Sequence, residues 1–182
     1  MLRDYQENIV SIYMEHVGKK LTSNSDANGN GAILEVPCGR GKTVLSLKII
    51  ANIQKKTLIL VHKEFLMEQW IERIQQFLPD ARIGIIQQNK VKADNKDIVI
   101  AMIQSISMKS YPPKIFDNFG FTIVDECHHI SSQVFSRCLP KIGNKYLLGL
   151  SATPKRKDGL SKVFHWYLGP VSYKHLRAHE TV

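Results

Sequence analysis

Ala32-Ile33-Leu34-Glu35-Val36-Pro37-Cys38-Gly39-Arg40-Gly41-Lys42-Thr43-Val44-Leu45-Ser46-Leu47-Lys48-Ile49-Ile50 runs from one apolar segment through a glycine-bearing turn into another. Ala32 to Val36 reads as a strand and Val44 to Ile50 as a helix. Between them, Gly39 and Gly41 let the backbone curl so that several N–H groups point into one anion-binding hollow, to which the following helix adds its positive end. Lys42 can reach the β- and γ-phosphates of a nucleotide as a point charge, and the Thr43 hydroxyl can ligate Mg²⁺. Pro37, Cys38 and Arg40 complete the loop. The usual pattern, G-x-x-x-x-G-K-S/T, has a glycine where this chain has Val36. Because the hollow depends on Gly39, Gly41 and the amides after them, Val36 can end the strand without blocking phosphate. The bland alternative, a glycine-rich turn with no ligand, does not require a strand before it and a helix after it.

Short Val/Ile/Leu-rich runs recur along the chain. Thr57 to Val61, Arg82 to Gln87, Ile98 to Met102, Phe121 to Val124 and Tyr146 to Leu150 read as strands. Helical patterns lie between them. An amphipathic helix covers about Asp4 to Val17, and Glu64 to Phe77 forms a helix expected to bury Phe65, Leu66, Trp70, Ile74 and Phe77. Continuous apolar strands alternating with helices indicate an α/β fold, a parallel sheet with helices on both faces. The polar stretch Thr22 to Gly31 and the basic segment Asn89-Lys90-Val91-Lys92 read as loops. Leu160 to Leu168 can form a helix, residues 1–170 read as one domain, and residues 171–182 as a tail or the start of a linker. No internal repeat is visible.

Phe121-Thr122-Ile123-Val124 delivers Asp125-Glu126-Cys127-His128 to its C-terminal end. Asp125 can hold Mg²⁺ directly or through water, and Glu126 can orient and deprotonate an attacking water. Strand alternation would aim the two carboxylates differently. Two solvated acids at a strand end are the plain alternative. In parallel α/β sheets ligands bind beyond the carboxyl ends of the strands, so the glycine loop, Asp125-Glu126 and Ser151-Ala152-Thr153 are expected on one edge.

Asp125-Glu126-Cys127-His128 followed by Ser151-Ala152-Thr153 resembles the motif II and motif III pairing of superfamily 2 helicases. Leu2-Arg3-Asp4-Tyr5-Gln6 looks like the Q-type motif that precedes motif I, in which the glutamine reads the adenine edge. Val61-His62-Lys63 with Leu66-Met67-Glu68-Gln69-Trp70 looks like motif Ia, which lies along the nucleic-acid backbone, and Ile103-Gln104-Ser105-Ile106 resembles the Gln-Ser element before motif II. These matches fall in the family's order over Leu2 to Thr153. Pro37-Cys38-Gly39-x-Gly41-Lys42 and Gly149 to Pro154 running into Lys157-Asp158-Gly159-Leu160 are similar to restriction-subunit-like and XPB-like DNA helicases, especially those of large DNA viruses and phages.

The resemblance implies an N-terminal ATP-binding, RecA-like lobe of a nucleic-acid-dependent ATPase using ATP and Mg²⁺. Lys42, Asp125, Glu126 and His128 would be catalytic. Gln6, Pro37, Cys38, Gly39, Arg40, Gly41, Lys42 and Thr43 would bind nucleotide, with Thr43 and Asp125 on Mg²⁺. His62, Lys63, Gln104, Ser105, Ser151, Ala152 and Thr153 would contact nucleic acid or couple it to nucleotide. His62 and Ser105 could instead cap helices. DNA is favoured over RNA as partner. Helicases of this family have a second RecA-like lobe supplying arginine fingers, whose motifs are not seen here, so this chain is expected to bind ATP but turn it over slowly. A non-catalytic nucleotide- or DNA-binding module and an unrelated P-loop kinase are the rival readings.

Composition agrees. The 182 residues are 43% hydrophobic and 23% charged, and 25 Lys and Arg against 16 Asp and Glu give a formal charge of +9, which favours a polyanionic partner. Three cysteines without Cys-x-x-Cys spacing argue for reduced thiols. Cys127-His128-His129 lacks further ligands at workable spacing, so no structural zinc is expected. No segment is apolar for the length of a membrane span, and the polar N-terminus is unlike a signal peptide. The expectation is a soluble intracellular protein of the cytoplasm, nucleus or a viral factory.

Overall fold

A computed structural model describes residues 4–22, 31–37, 39–143, 146–152 and 171–174. The elements follow in the order α1 (Asp4–Thr22), β1 (Gly31–Glu35), α2 (Lys42–Ile53), β2 (Thr57–Val61), α3 (Glu64–Phe77), β3 (Ile83–Gln87), β4 (Lys90–Lys92), β5 (Ile98–Met102), α4 (Ile103–Met108), β6 (Phe121–Val124), α5 (Ser132–Ile142), β7 (Tyr146–Ser151) and β8 (Val171–Lys174). The strands form one sheet in the order β4-β3-β5-β2-β6-β7-β1-β8. All pairs are parallel except β3 with β4.

The alternation of strand side chains divides the core into two layers. Ile59, Val61, Ile100 and Ile123 pack with Tyr13 of α1, Leu45 and Ile49 of α2, and Trp70 and Ile74 of α3. Their neighbours Leu58, Leu60, Val99 and Val124 pack on the other side with Ile103 and Ile106 of α4 and Phe135 and Cys138 of α5. Leu58 to Val61 are all 0% exposed, which is why β2 reads as an unbroken apolar run. The parallel sheet with helices on both faces is as expected.

Several local readings are corrected. In α3 the buried positions are Met67, Trp70 and Ile74. Phe65 is 51% exposed and Phe77 43%. Phe65 precedes Met67 by two residues, about 200° around a helix, and so faces away from the sheet, while Phe77 is the helix's final residue. Leu66 is half-buried. The basic segment Lys90 to Lys92 is no loop but β4, a strand paired with β3 in the register Ile85↔Lys92, Ile86↔Val91 and Gln87↔Lys90. Its side chains are all exposed, so it carries no buried alternation to mark it. Val171–Lys174, read as tail, is the edge strand beside β1, with a register shift between Ile33 and Leu34. The expected loop at residues 23–30 and the helix at Leu160 to Leu168 lie outside the described residues.

The β3–β4 hairpin is pinned to its surroundings. Gln88 N–H donates to Ser105 Oγ at 3.0 Å and Tyr111 Oη donates to the Gln88 carbonyl at 2.7 Å. The hairpin also needs Gly84, because a Cβ there would lie 2.1 Å from the Lys92 carbonyl oxygen. Backbone cannot yield as a side-chain tip can. Gly84→Ala is therefore expected to lower stability by about 1–3 kcal/mol through overpacking, read by denaturant unfolding. An unchanged midpoint would contradict this close approach.

Candidate nucleotide site

The C-terminal ends of β6, β7 and β1 are consecutive in the sheet. Parallel pairing brings the residues that follow them to a common edge. Val36 N–H donates to the Ser151 carbonyl at 3.0 Å, extending the pairing of β1 and β7 one residue beyond β1. Gly39 and Gly41 then adopt φ of 77° and 80°, left-handed values that favour glycine. Gly41 is the N-cap of α2 and supplies no side-chain cap, so α2 presents its first turn to an anion without a competing side chain. Lys42 opens the helix and Thr43 follows in the same turn. Cys38 lies outside the described residues.

Asp125 follows β6, its N–H donating to the Leu60 carbonyl of β2 at 2.9 Å. The residue is only 7% exposed. Its Oδ2 accepts from Trp70 Nε1 at 2.8 Å and its Oδ1 from the Glu126 N–H at 2.9 Å. Burial raises the Asp125 carboxyl above its ordinary value, opposed by the Trp70 hydrogen bond. Glu126 lies beyond the strand at φ 45° and ψ 46°. The two acids thus diverge through a left-handed turn rather than through strand pleating. This turn carries Glu126 to Lys42, whose Nζ donates to Oε1 in a partly buried ion pair. The lysine of the glycine loop and a carboxylate of the acidic turn, 84 positions apart, are in direct contact.

A second layer of contacts surrounds that pair. His128 Nδ1 lies 3.0 Å from Ser151 Oγ and 3.5 Å from Glu126 Oε2. Gln104 Nε2 donates to the His62 carbonyl at 2.9 Å. His62 Nδ1 and Gln104 Oε1 are buried without a hydrogen-bond partner. Burial first, then neighbouring His129, holds the His62 and His128 imidazoles below their ordinary value of 6.5. Lys63 is the exposed N-cap of α3, with its ammonium 5.8 Å from the Phe65 ring centroid. Neither His62 nor Ser105 caps a helix through its side chain: Ser105 holds the β3–β4 turn instead. Ala152 follows β7, half-buried, and Thr153 lies outside the described residues.

Gln6 is buried against the glycine loop, its Nε2 donating to the Arg40 carbonyl at 3.2 Å. Tyr5 Oη donates to the same carbonyl at 2.8 Å. Arg40 itself and Pro37 are exposed. Tyr5 and Trp70 are site residues with no role of their own in the sequence reading: Tyr5 stands within the Q-type motif, Trp70 within motif Ia and among the expected core positions. His129 is a third, its ring 4.0 Å from that of His128 and 5.5 Å from that of His62. Glu126, His128 and His129 offer ligand atoms within 4.8 Å of one another. Cys127 is not in this group, and burial pushes its thiol up to about 12.

The parallel sheet, the uncapped helix behind two left-handed glycines and the acidic turn facing Lys42 define a RecA-like nucleotide-binding lobe. The chain belongs to the family described as "Type III restriction enzyme, res subunit", which matches residues 1–156. It is an N-terminal lobe of the superfamily 2 helicase kind. It is 40% identical over 143 residues to the putative ATP-dependent RNA helicase L396 of Acanthamoeba polyphaga mimivirus, covering 79% of this chain and 27% of that protein. It is 31% identical over 173 residues to the DNA 3'-5' translocase XPB2 of Sulfurisphaera tokodaii, covering 95% of this chain and 35% of the relative. Among solved structures, the Sulfolobus solfataricus SWI2/SNF2 ATPase core in complex with dsDNA has the same fold, with a TM-score of 0.69 at 18% identity over 93% of this chain and 36% of that one. The UvsW helicase of bacteriophage T4 aligns with a TM-score of 0.63 at 20% identity, covering 85% and 55%. This chain therefore spans about a quarter to a third of the two curated relatives named. No helix among the described residues is long and apolar enough to cross a membrane.

Two expectations follow from the geometry. A Cβ on Gly41 would lie 2.5 Å from Gln6 Nε2, whereas one on Gly39 would meet nothing within 4 Å. Both alanine variants carry a left-handed backbone cost of roughly 1–2 kcal/mol, so Gly41→Ala should melt below Gly39→Ala by the additional displacement of Gln6. Equal melting temperatures would show that the Gln6 contact contributes nothing. The second concerns pH. With folded-state values below 6.5, His62 and His128 are protonated later than in the unfolded chain as pH falls. Their contribution to stability is complete above 6.5 and is lost as pH drops through and below it. Proton NMR should place both imidazole midpoints below 6.5; midpoints above it would reverse the sign.

Proposed function

We propose that this chain is the ATP-binding lobe of a nucleic-acid-dependent ATPase that couples Mg-ATP hydrolysis to movement along, or opening of, a duplex. The observation that carries the proposal is the Lys42–Glu126 contact, which brings the lysine of the glycine loop against the acidic turn after β6. In this reading Gly39, Arg40, Gly41, Lys42 and Thr43 hold the phosphates, and Pro37 and Cys38 precede them in the nucleotide-binding motif. Lys42 exchanges Glu126 for phosphate, and the released Glu126 orients the attacking water.

The donor set fits Mg²⁺. Asp125 accepts one hydrogen bond on each oxygen, so each keeps a lone pair, and a buried carboxylate beside Glu126 is relieved by a cation. Thr43 and Asp125 would hold the ion, which when bound neutralises charge on the transferred phosphoryl group. Gln6 lies against the loop where an adenine would be read. His128 bonds Ser151 and neighbours Glu126, linking the acidic turn to β7. Ala152 and Thr153 continue that segment.

Nucleic acid is assigned to the face bearing His62, Lys63, Gln104 and Ser105, with DNA as the favoured partner. Support comes from the +9 charge and from relatives whose names specify a DNA translocase or whose structure contains dsDNA. The mimivirus relative is named an RNA helicase, so RNA is the competing substrate. A second lobe would supply the arginine finger, worth roughly 10³–10⁵ in turnover.

The test is nucleotide binding by the purified chain, followed by phosphate release with and without DNA or RNA. Saturable Mg-ATP binding is expected, at least tenfold weaker in Lys42→Ala, with slow turnover raised more by DNA than by RNA. Equal binding by Lys42→Ala would contradict the nucleotide assignment. Greater stimulation by RNA would overturn the choice of DNA.

A further inference from the structure

We propose that Trp70 is the positioning residue for Asp125, fixing its carboxylate for the metal; this rests on the nucleotide-site reading above. The indole lies in the middle of α3 and is 2% exposed, yet its one polar atom is spent on a carboxylate rather than on backbone or solvent. The donor–acceptor distance of 2.8 Å is that of a well-formed N–H···O bond, which an ionised acceptor strengthens. A tryptophan needed only to fill the layer between α3 and the sheet has no requirement for an acid at its ring nitrogen, and burying an acid beside it is costly unless it is used.

The indole suits this task. Its N–H is a donor only, does not titrate near neutrality and cannot become a competing ligand. The ring is held by the same layer that contains Met67, Ile74 and Ile123. One Asp125 oxygen is thereby anchored through a rigid ring and the other through the Glu126 backbone, with one lone pair left on each. Partners that orient a ligating carboxylate in this way typically contribute about 10–100-fold to metal affinity.

The experiment uses the whole chain, ADP and Mg²⁺, comparing the unaltered protein with Trp70→Phe, which keeps the ring and deletes the donor. The Mg²⁺ concentration giving half-maximal enhancement of ADP binding should rise about tenfold, while ADP affinity in EDTA stays the same. A purely structural role would weaken both together, and that result, or an unchanged Mg²⁺ midpoint, overturns the proposal. Should Trp70→Phe not fold, Trp166→Phe leaves Trp70 as the sole tryptophan of the two in the chain. Its emission should then change when Mg²⁺ is added to the ADP-bound protein. Emission indifferent to Mg²⁺ overturns the proposal, whereas failure of the unaltered chain to bind ADP at all overturns the nucleotide reading beneath it.

Discussion

Parallel hydrogen bonding of β6, β7 and β1 is the constraint on which the site depends. Strands that run the same way and lie side by side must end at one edge, so Lys42 and Glu126, 84 positions apart in sequence, become neighbours there. Val124 opposite Gly149, and Glu35 opposite Ser151, set the heights at which the acidic turn and the glycine loop leave the sheet. A one-residue slip in either pair would turn every side chain of the moved strand to the opposite layer, and the two apolar layers forbid it. The precision of the site is thus maintained by the burial of Ile123, Val124, Leu148 and Leu150, residues with no chemistry of their own.

At that edge, charge is arranged by burial. Asp125 has little water, and its oxygens are engaged by an indole and a backbone amide. Glu126 is turned outward by its left-handed backbone and neutralised by Lys42. A left-handed non-glycine residue costs about 1–2 kcal/mol, and this one lies where two carboxylates must point in different directions. His128 and Ser151 extend the network across β7. Lys42 with Glu126, Asp125 with Trp70 and the Glu126 amide, and His128 with Ser151 are thus a set of mutually satisfied partners.

The central architecture was legible in sequence because β1, β2, β5, β6 and β7 are largely buried on both faces and carry short, mostly apolar runs rich in Ile, Leu and Val. The limits lay where burial is one-sided or absent. β4 has three exposed residues and is held by backbone pairing and by the hydrogen bonds at Gln88, none of which leaves a periodic signal. α5 contains Pro140, a residue that ordinarily argues against a helix interior. Its start is nevertheless marked by Ser131, whose Oγ accepts from Val134 N–H. In the site, Lys42 and Glu126 could be named from their motifs, but their contact is a tertiary fact. Trp70 was legible as core and as the end of motif Ia, but nothing in Glu68-Gln69-Trp70 indicates that the indole nitrogen meets an acid 55 positions away. The exposed faces of Phe65 and Phe77 show the same limit from the other side: hydrophobic character alone did not specify which face of α3 meets the sheet.

In the proposed function Lys42 changes partners. The most direct test of this exchange is a structure of the chain bound to Mg²⁺ and a non-hydrolysable ATP analogue. Lys42 Nζ is expected on the terminal phosphates, Glu126 released from it, and Asp125 still bonded to Trp70 while facing the metal. A nucleotide bound elsewhere, with the Lys42–Glu126 pair intact, would contradict it.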